Sequence, residues 1–291
     1  MTESSTPFAR GLSRELLAWA IGAEGRTLID AFREHGLDVR LRGDYFNAYR
    51  ANCSVAKVSW LRRKKRPRLE IHRKYLIDAP LLSAKGRGDS VGLDLSTTDA
   101  EAYRSSLPAI LGAIKKHIGE EGRWEQRTIE SNLVGTPLLV IDRQIVNGRP
   151  RVELDILAVA VTADKPALVA IELKRDLDNR IQHVAAQALK YVKMLDPDGA
   201  GLRADIASSY RTVCQQLRDL GLNACAPDFI QSGMPVVGLV ALANYNSKSR
   251  LLDRAIEAAR LLDRPIRFCH LDGDDPRLPA PSEWFSENSR V

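Results

Sequence analysis

A chain of 291 residues carries 43 Lys and Arg against 37 Asp and Glu, a net charge of +6, with 44% hydrophobic residues. That length and composition fit one large or two ordinary soluble domains with sizeable cores, and argue against a disordered or fibrous chain. Four scattered cysteines, Cys53, Cys214, Cys225 and Cys269, form no C-x-x-C pair, which argues against a zinc knuckle and a disulfide framework.

Residues 1–7 are expected to fray. Leu12 to Gly36 has apolar residues at helical spacing (Leu16, Leu17, Ala20 and Ile21, then Leu28, Ile29 and Phe32), with Gly22 and Gly25 marking a break and Gly36 a stop. Leu37 to Leu76 alternates like a small antiparallel sheet, clearest where Val55, Lys57 and Ser59 oppose Ala56, Val58 and Trp60. Between two of those strands falls the densest charge in the chain, Arg62, Arg63, Lys64, Lys65 and Arg66. Tyr45, Phe46, Tyr49 and Trp60 stand nearby as stacking candidates. The cluster is read either as a solvated turn that protects a sheet edge or as a basic finger on phosphates.

Ala84 to Thr98 reads as a loop or linker, and Thr98 or Asp99 as the cap of a helix starting near Ala100. A stripe of Leu107, Ile110, Leu111, Ile114 and Ile118 continues that helix. The boundary is placed near residue 119. It separates a basic α+β domain, 1–118, from a second domain, 119–291. Residues 1–118 hold 21 Lys and Arg against 13 Asp and Glu, and the remainder 22 against 24. The basic excess therefore lies in the first part, as a footprint for a polyanion or a dimerisation module.

Gly122 to Val134 reads as a helix. On it Glu125 and Glu130 diverge by about 140°, so both cannot face one site, and Glu125 is expected at solvent. Pro137 to Gln144 reads as a strand, followed by a turn at Asn147-Gly148. Val152 to Val161 and Ala167 to Leu173 are apolar runs around the turn residues 162–166, hence a hairpin. A helix follows Asp178 and breaks at Asp196-Pro-Asp-Gly199. Further helices are expected over Ile206 to Leu220 and Ser249 to Leu262, with strands over Pro235 to Ala243 and Ile266 to Leu271 and a coil tail from Asp272. Strands alternating with helices predict an α/β layer.

The charged residues inside the hairpin are the informative ones. Period two puts Glu172 and Lys174 on one face of their strand, and the hairpin brings Asp155 alongside. Carboxylates ending apolar strands are costly to bury, yet two of them can hold a hard cation through oxygen, with an ammonium beside it. Gln187 and Tyr191 follow at i, i+4 on one helix face, and His183 lies at i, i+4 from Gln187. Taken singly, Asp155, Glu172 and Lys174 also fit a surface salt-bridge ladder.

The ordered set resembles the PD-(D/E)XK nuclease superfamily over roughly Gly122 to Leu195. Gln187-Ala-Leu-Lys-Tyr191 is similar to the Q-x-x-x-Y motif of the RecB branch, and the motif order to the NucS-like catalytic domain. Leu154 stands where the pattern has proline. The resemblance implies a restriction-endonuclease-like α/β/α domain that hydrolyses phosphodiester bonds in DNA with Mg²⁺ or Mn²⁺. It implies Glu130, Asp155, Glu172 and the Leu173 carbonyl as metal ligands, and Lys174, Gln187 and Tyr191 beside them. Activity on RNA, or a nuclease fold that binds nucleic acid without cleaving it, is the alternative. A homodimer is also compatible with the chain. The apolar run Val236 to Ala243 is too short to span a bilayer, and MTESSTPFAR lacks a secretory pattern, so a cytoplasmic protein without a membrane partner is expected.

Overall fold

A computed structural model describes residues 10–76, 88–132, 135–147, 152–161, 166–175, 179–222, 224, 226–271 and 275–285. Among them are seven α-helices and two five-stranded sheets, an α/β architecture. No helix of the described residues is long and apolar enough to cross a membrane. The chain divides into two compact units, residues 1–126 with 212–223, and residues 127–211 with 224–291. The division falls inside a helix, after residue 126, and a short later segment, 212–223, returns to the first unit.

The first unit opens with α1 (Arg14–Ile21) and α2 (Ala23–Glu34), separated at Gly22 as the sequence predicts. Ser13 caps α1 by accepting the Leu16 N–H. Five antiparallel strands follow in chain order: β1 (Asp38–Leu41), β2 (Tyr45–Arg50), β3 (Cys53–Leu61), β4 (Arg66–His72) and β5 (Ser90–Asp94). β5 was expected to be loop. Its Gly- and Asp-rich composition hides a short period-two segment, in which Val91 and Leu93 align with Ile71 and Leu69 of β4. The helix α3 (Thr97–Lys115) is capped by Ser96, not by Thr98 or Asp99. Asp99 instead accepts the Ser96 N–H, closing a capping box.

Phe32 of α2, Phe46 of β2 and Tyr103 of α3 meet edge-on at the centre of this unit, with ring centroids 6.4 and 6.3 Å from Phe32. The Tyr103 hydroxyl donates to the Val55 carbonyl at 3.1 Å, which satisfies its one polar atom in the core.

In the second unit the sheet runs β10-β9-β8-β7-β6. The strands are β6 (Leu138–Asn147), β7 (Val152–Ala160), β8 (Ala167–Arg175), β9 (Val236–Ala243) and β10 (Ile266–Leu271). β6, β7 and β8 are antiparallel, and β8, β9 and β10 are parallel. The helices are α4 (Glu120–Ser131), which contains the division between units, α5 (Val184–Leu195), α6 (Ala204–Asp219) and α7 (Arg250–Arg260). The predicted turns at 162–165 and 148–150 lie outside the described residues.

α5 packs over β7, β8, β9 and β10 and against α7. Gly238 makes its close seat possible. A Cβ there would run into Ile266 Cδ1 and come within 3.1 Å of Val192 Cγ2 on α5. The tail is not wholly coil. Phe285 makes an antiparallel bridge to Phe268 at the outer edge of β10, and its ring stacks on His270 at 5.0 Å. Asn132, fully buried at the end of α4, accepts the Leu278 N–H and donates to the Pro276 carbonyl, which ties this tail down.

Candidate active site

The β7–β8 ladder runs from Ala160↔Ala167 to Ile156↔Ile171 and stops there. The next opposed residues are Asp155 and Glu172, and directly opposed residues share a face. Beyond that point the Leu173 N–H is taken by Asp155 Oδ2, at 2.9 Å, rather than by a carbonyl of β7. The carboxylate sits where the two strands part.

Glu172 is 1% exposed and Lys174 8%, and Lys174 Nζ donates to Glu172 Oε1 at 2.6 Å. The second oxygen, Glu172 Oε2, is buried without a hydrogen-bond partner. Burial pushes the Glu172 carboxyl above the usual range, and the Lys174 ammonium opposes that rise. A salt-bridge ladder on an exposed face is therefore not what the hairpin forms.

From α5, Gln187 Nε2 donates to the Tyr191 hydroxyl at 2.9 Å. Tyr191 is 2% exposed. Burial, followed by the negative charge of Glu172, pushes its hydroxyl pKa up, with a smaller contribution from Asp155. Tyr191 thus closes one side of the carboxylate pair, and Gln187, half-buried, holds its hydroxyl. His183 is exposed before α5, its Nε2 3.2 Å from Gln182 Nε2.

Glu130 does not join this group. It is exposed, and among the described residues no three His, Cys, Asp or Glu side chains are set to hold a metal. Glu125, expected at solvent, is 5% exposed and accepts from Asn52 Nδ2 at 2.6 Å. Trp124, Glu125 and Gln126 are buried in succession, so α4 lacks a single buried stripe and helical phase alone does not set which side is covered. The residues present still fit a hard divalent ion. Magnesium is commonly held by one or two carboxylates, with waters and substrate phosphates filling the remaining positions. The orphaned Glu172 Oε2 is an oxygen suited to that task.

The basic cluster lies in the exposed turn between β3 and β4. Arg62 pairs with Asp44 at 2.7 Å and Lys64 with Asp94 at 2.9 Å, and Arg66 also pairs with Asp94. The Lys64 hydrogen bond, then the Arg66 charge, holds the Asp94 carboxyl below its usual range. Arg63 and Lys65 are exposed and have no carboxylate partner among the described residues. Of the stacking candidates, Phe46 is core and Tyr49 is buried, and the Tyr45 ring lies under Lys57 Nζ at 4.7 Å. Trp60, half-buried, lines an open cleft with Arg62, Lys65, Ser13 and Glu15.

Two polar residues of β6 are not expected from the strand pattern of Pro137 to Gln144. Asp142 is 3% exposed and accepts the Tyr210 hydroxyl at 2.9 Å. Gln144 has a positive φ of 45°. The signal available in the sequence was Asp-Arg-Gln interrupting an otherwise apolar run.

No family model, curated protein or solved structure matches this chain.

Proposed function

We propose that this protein is a metal-dependent nuclease that hydrolyses phosphodiester bonds, with DNA as its substrate and Mg²⁺ or Mn²⁺ as its cofactor, built on a restriction-endonuclease-like domain. The observation that carries this reading is the Asp155–Glu172 pair at the parting of β7 and β8, with one buried carboxylate oxygen unpartnered and Lys174 against the other. Asp155 and Glu172 would hold the ion, with the Leu173 carbonyl as a further oxygen donor. When bound, the metal would polarise the phosphate and lower the pKa of its water. Lys174 supplies a fixed positive charge where negative charge develops on the phosphate. Tyr191, held by Gln187, keeps that side of the pair dry and ordered. The basic turn of the first unit would add contacts to phosphates that carry no base identity.

The test is cleavage of single-stranded, duplex and branched DNA and of RNA, with and without Mg²⁺. Asp155→Ala and Glu172→Ala should each abolish metal-dependent cleavage and Mg²⁺ binding by calorimetry while the protein stays folded. Full activity in either variant rejects the assignment. Nucleic-acid binding without Mg²⁺ binding would leave a non-catalytic binding protein.

A further inference from the structure

The second sheet is interrupted on both sides of Asp155 at a single level. On the β6 side, Arg143 pairs with Ile156 and Ile145 with Leu154, so Gln144 stands across from Asp155, and that pair drops out of the ladder. On the β8 side, the ladder ends one pair before Asp155 and Glu172. Gln144, Asp155 and Glu172 therefore form one row across three strands.

Gln144 pairs that position with an unusual backbone. A non-glycine residue with positive φ is uncommon, and such strain persists where the surroundings over-determine it. Here they do. The register of β6 shifts between Val140 and Asp142. Asp142 Oδ1 then accepts the Arg143 N–H at 2.8 Å, and its Oδ2 accepts the Tyr210 hydroxyl. Arg143 itself is fully buried. The clamp fixes the distortion immediately before Gln144, and such irregularities re-aim side chains beside functional sites. Gln144 is half-buried, and its amide makes no hydrogen bond among the described residues.

We propose that Gln144 contacts the substrate, its carboxamide donating to a non-bridging oxygen of the phosphodiester held at the Asp155–Glu172 pair. This rests on the nuclease reading and adds a residue to it. The chemistry favours an amide at this place. A third carboxylate would repel the phosphate, and a cation would pair with Asp155. A glutamine carries two donors and no charge.

Two variants test it. Gln144→Gly removes the amide and tolerates positive φ, so the fold is kept. Gln144→Glu retains the size and adds a negative charge. The readouts are anisotropy of fluorescent single-stranded and duplex oligonucleotides with Ca²⁺ replacing Mg²⁺, calorimetric Mg²⁺ titration, and melting temperature. Gln144→Gly should weaken oligonucleotide binding about tenfold or more, as expected for a lost hydrogen bond to a charged group. Its Mg²⁺ affinity should not change, and its melting temperature should hold or rise. Gln144→Glu should weaken oligonucleotide binding further. Wild-type oligonucleotide affinity in both variants overturns the proposal, as does a clear drop in melting temperature for Gln144→Gly, which would make the side chain structural. The underlying reading fails separately, through an Asp155→Ala variant that binds Mg²⁺ like wild type. A wild-type protein that binds neither oligonucleotide overturns both.

Discussion

Asp155 accepts the Leu173 N–H on the strand beside it, through Oδ2 at 2.9 Å, one step past the last β7–β8 pair. One carboxylate thereby completes a backbone and faces Glu172. Asp155→Ala should cost about 1–3 kcal/mol for the unsatisfied amide and, on the proposed function, should also lose Mg²⁺ binding. Asp155→Asn keeps an oxygen acceptor for Leu173 and loses the charge. It should melt close to wild type yet bind Mg²⁺ far more weakly. Equal loss of stability in both variants would show that the charge, not the acceptor, holds the strand end.

The unpaired cations of the basic turn should dominate any phosphate contact. Replacing Arg63 and Lys65 together by Ala should lower the log–log salt slope of duplex binding by about 1.8, at about 0.9 per contact. Asp94→Asn should act oppositely, releasing Lys64 and Arg66 to steepen the slope and tighten binding. An unchanged slope in both variants would assign the turn to solvent and remove the first unit from nucleic-acid recognition.

Asp94 also offers a titration check. Its carboxyl is depressed by Lys64 first and Arg66 after it, so its ion pairs are formed above the ordinary carboxylate pKa and are lost as pH falls through the lower folded value. Asp94 is half-buried but Lys64 and Arg66 are exposed, so solvent screens these pairs and they should contribute little to stability. A side-chain NMR titration should find the Asp94 midpoint below the ordinary aspartate range. Lys64→Ala should move it back toward that range more than Arg66→Ala does, and the reverse order would contradict the pairing.

The Tyr210–Asp142 bond is internal to the fold. Tyr210→Phe should lower unfolding free energy by about 1–3 kcal/mol, the range for leaving a buried acceptor unsatisfied. Chemical denaturation measures that loss, and Mg²⁺ affinity should not move. A neutral effect on stability would mean that the β6 irregularity is held by other contacts.

Packing of α5 can be probed at Gly238. Gly238→Ala drives a methyl into Ile266 and Val192 and should destabilise by about 1–3 kcal/mol. Because Tyr191 and Gln187 ride on the same helix, Mg²⁺-dependent activity should fall with it. A variant as stable as wild type would mean that Ile266 and Val192 yield to the methyl without cost and that the seat of α5 does not depend on this glycine.

Local pattern made much of this chain legible. Period two put Glu172 and Lys174 on one face, and helical spacing put Gln187 one turn before Tyr191, where they bond. The break at Gly22 and most strands and helices were likewise visible, because they express backbone preferences over a few neighbouring residues. Ser90–Asp94 was missed because its period-two signal is short and set among turn residues. Glu125 and Glu130 were assigned opposite environments from the ones they have, since a helix wheel cannot show how many sides of α4 are covered.

Residue order alone marks out two carboxylates, a lysine and a Gln-Tyr pair on neighbouring elements, and a basic turn apart from them. Folding adds that Asp155 opposes Glu172, that Glu172 is buried with one oxygen unpartnered, and that Asp44 and Asp94 engage three of the five clustered cations. It also placed Gln144 in the row of the carboxylates. Register, burial and ion pairing depend on residues far apart in the chain. They are settled when the strands align and the core closes, and local periodicity does not record them.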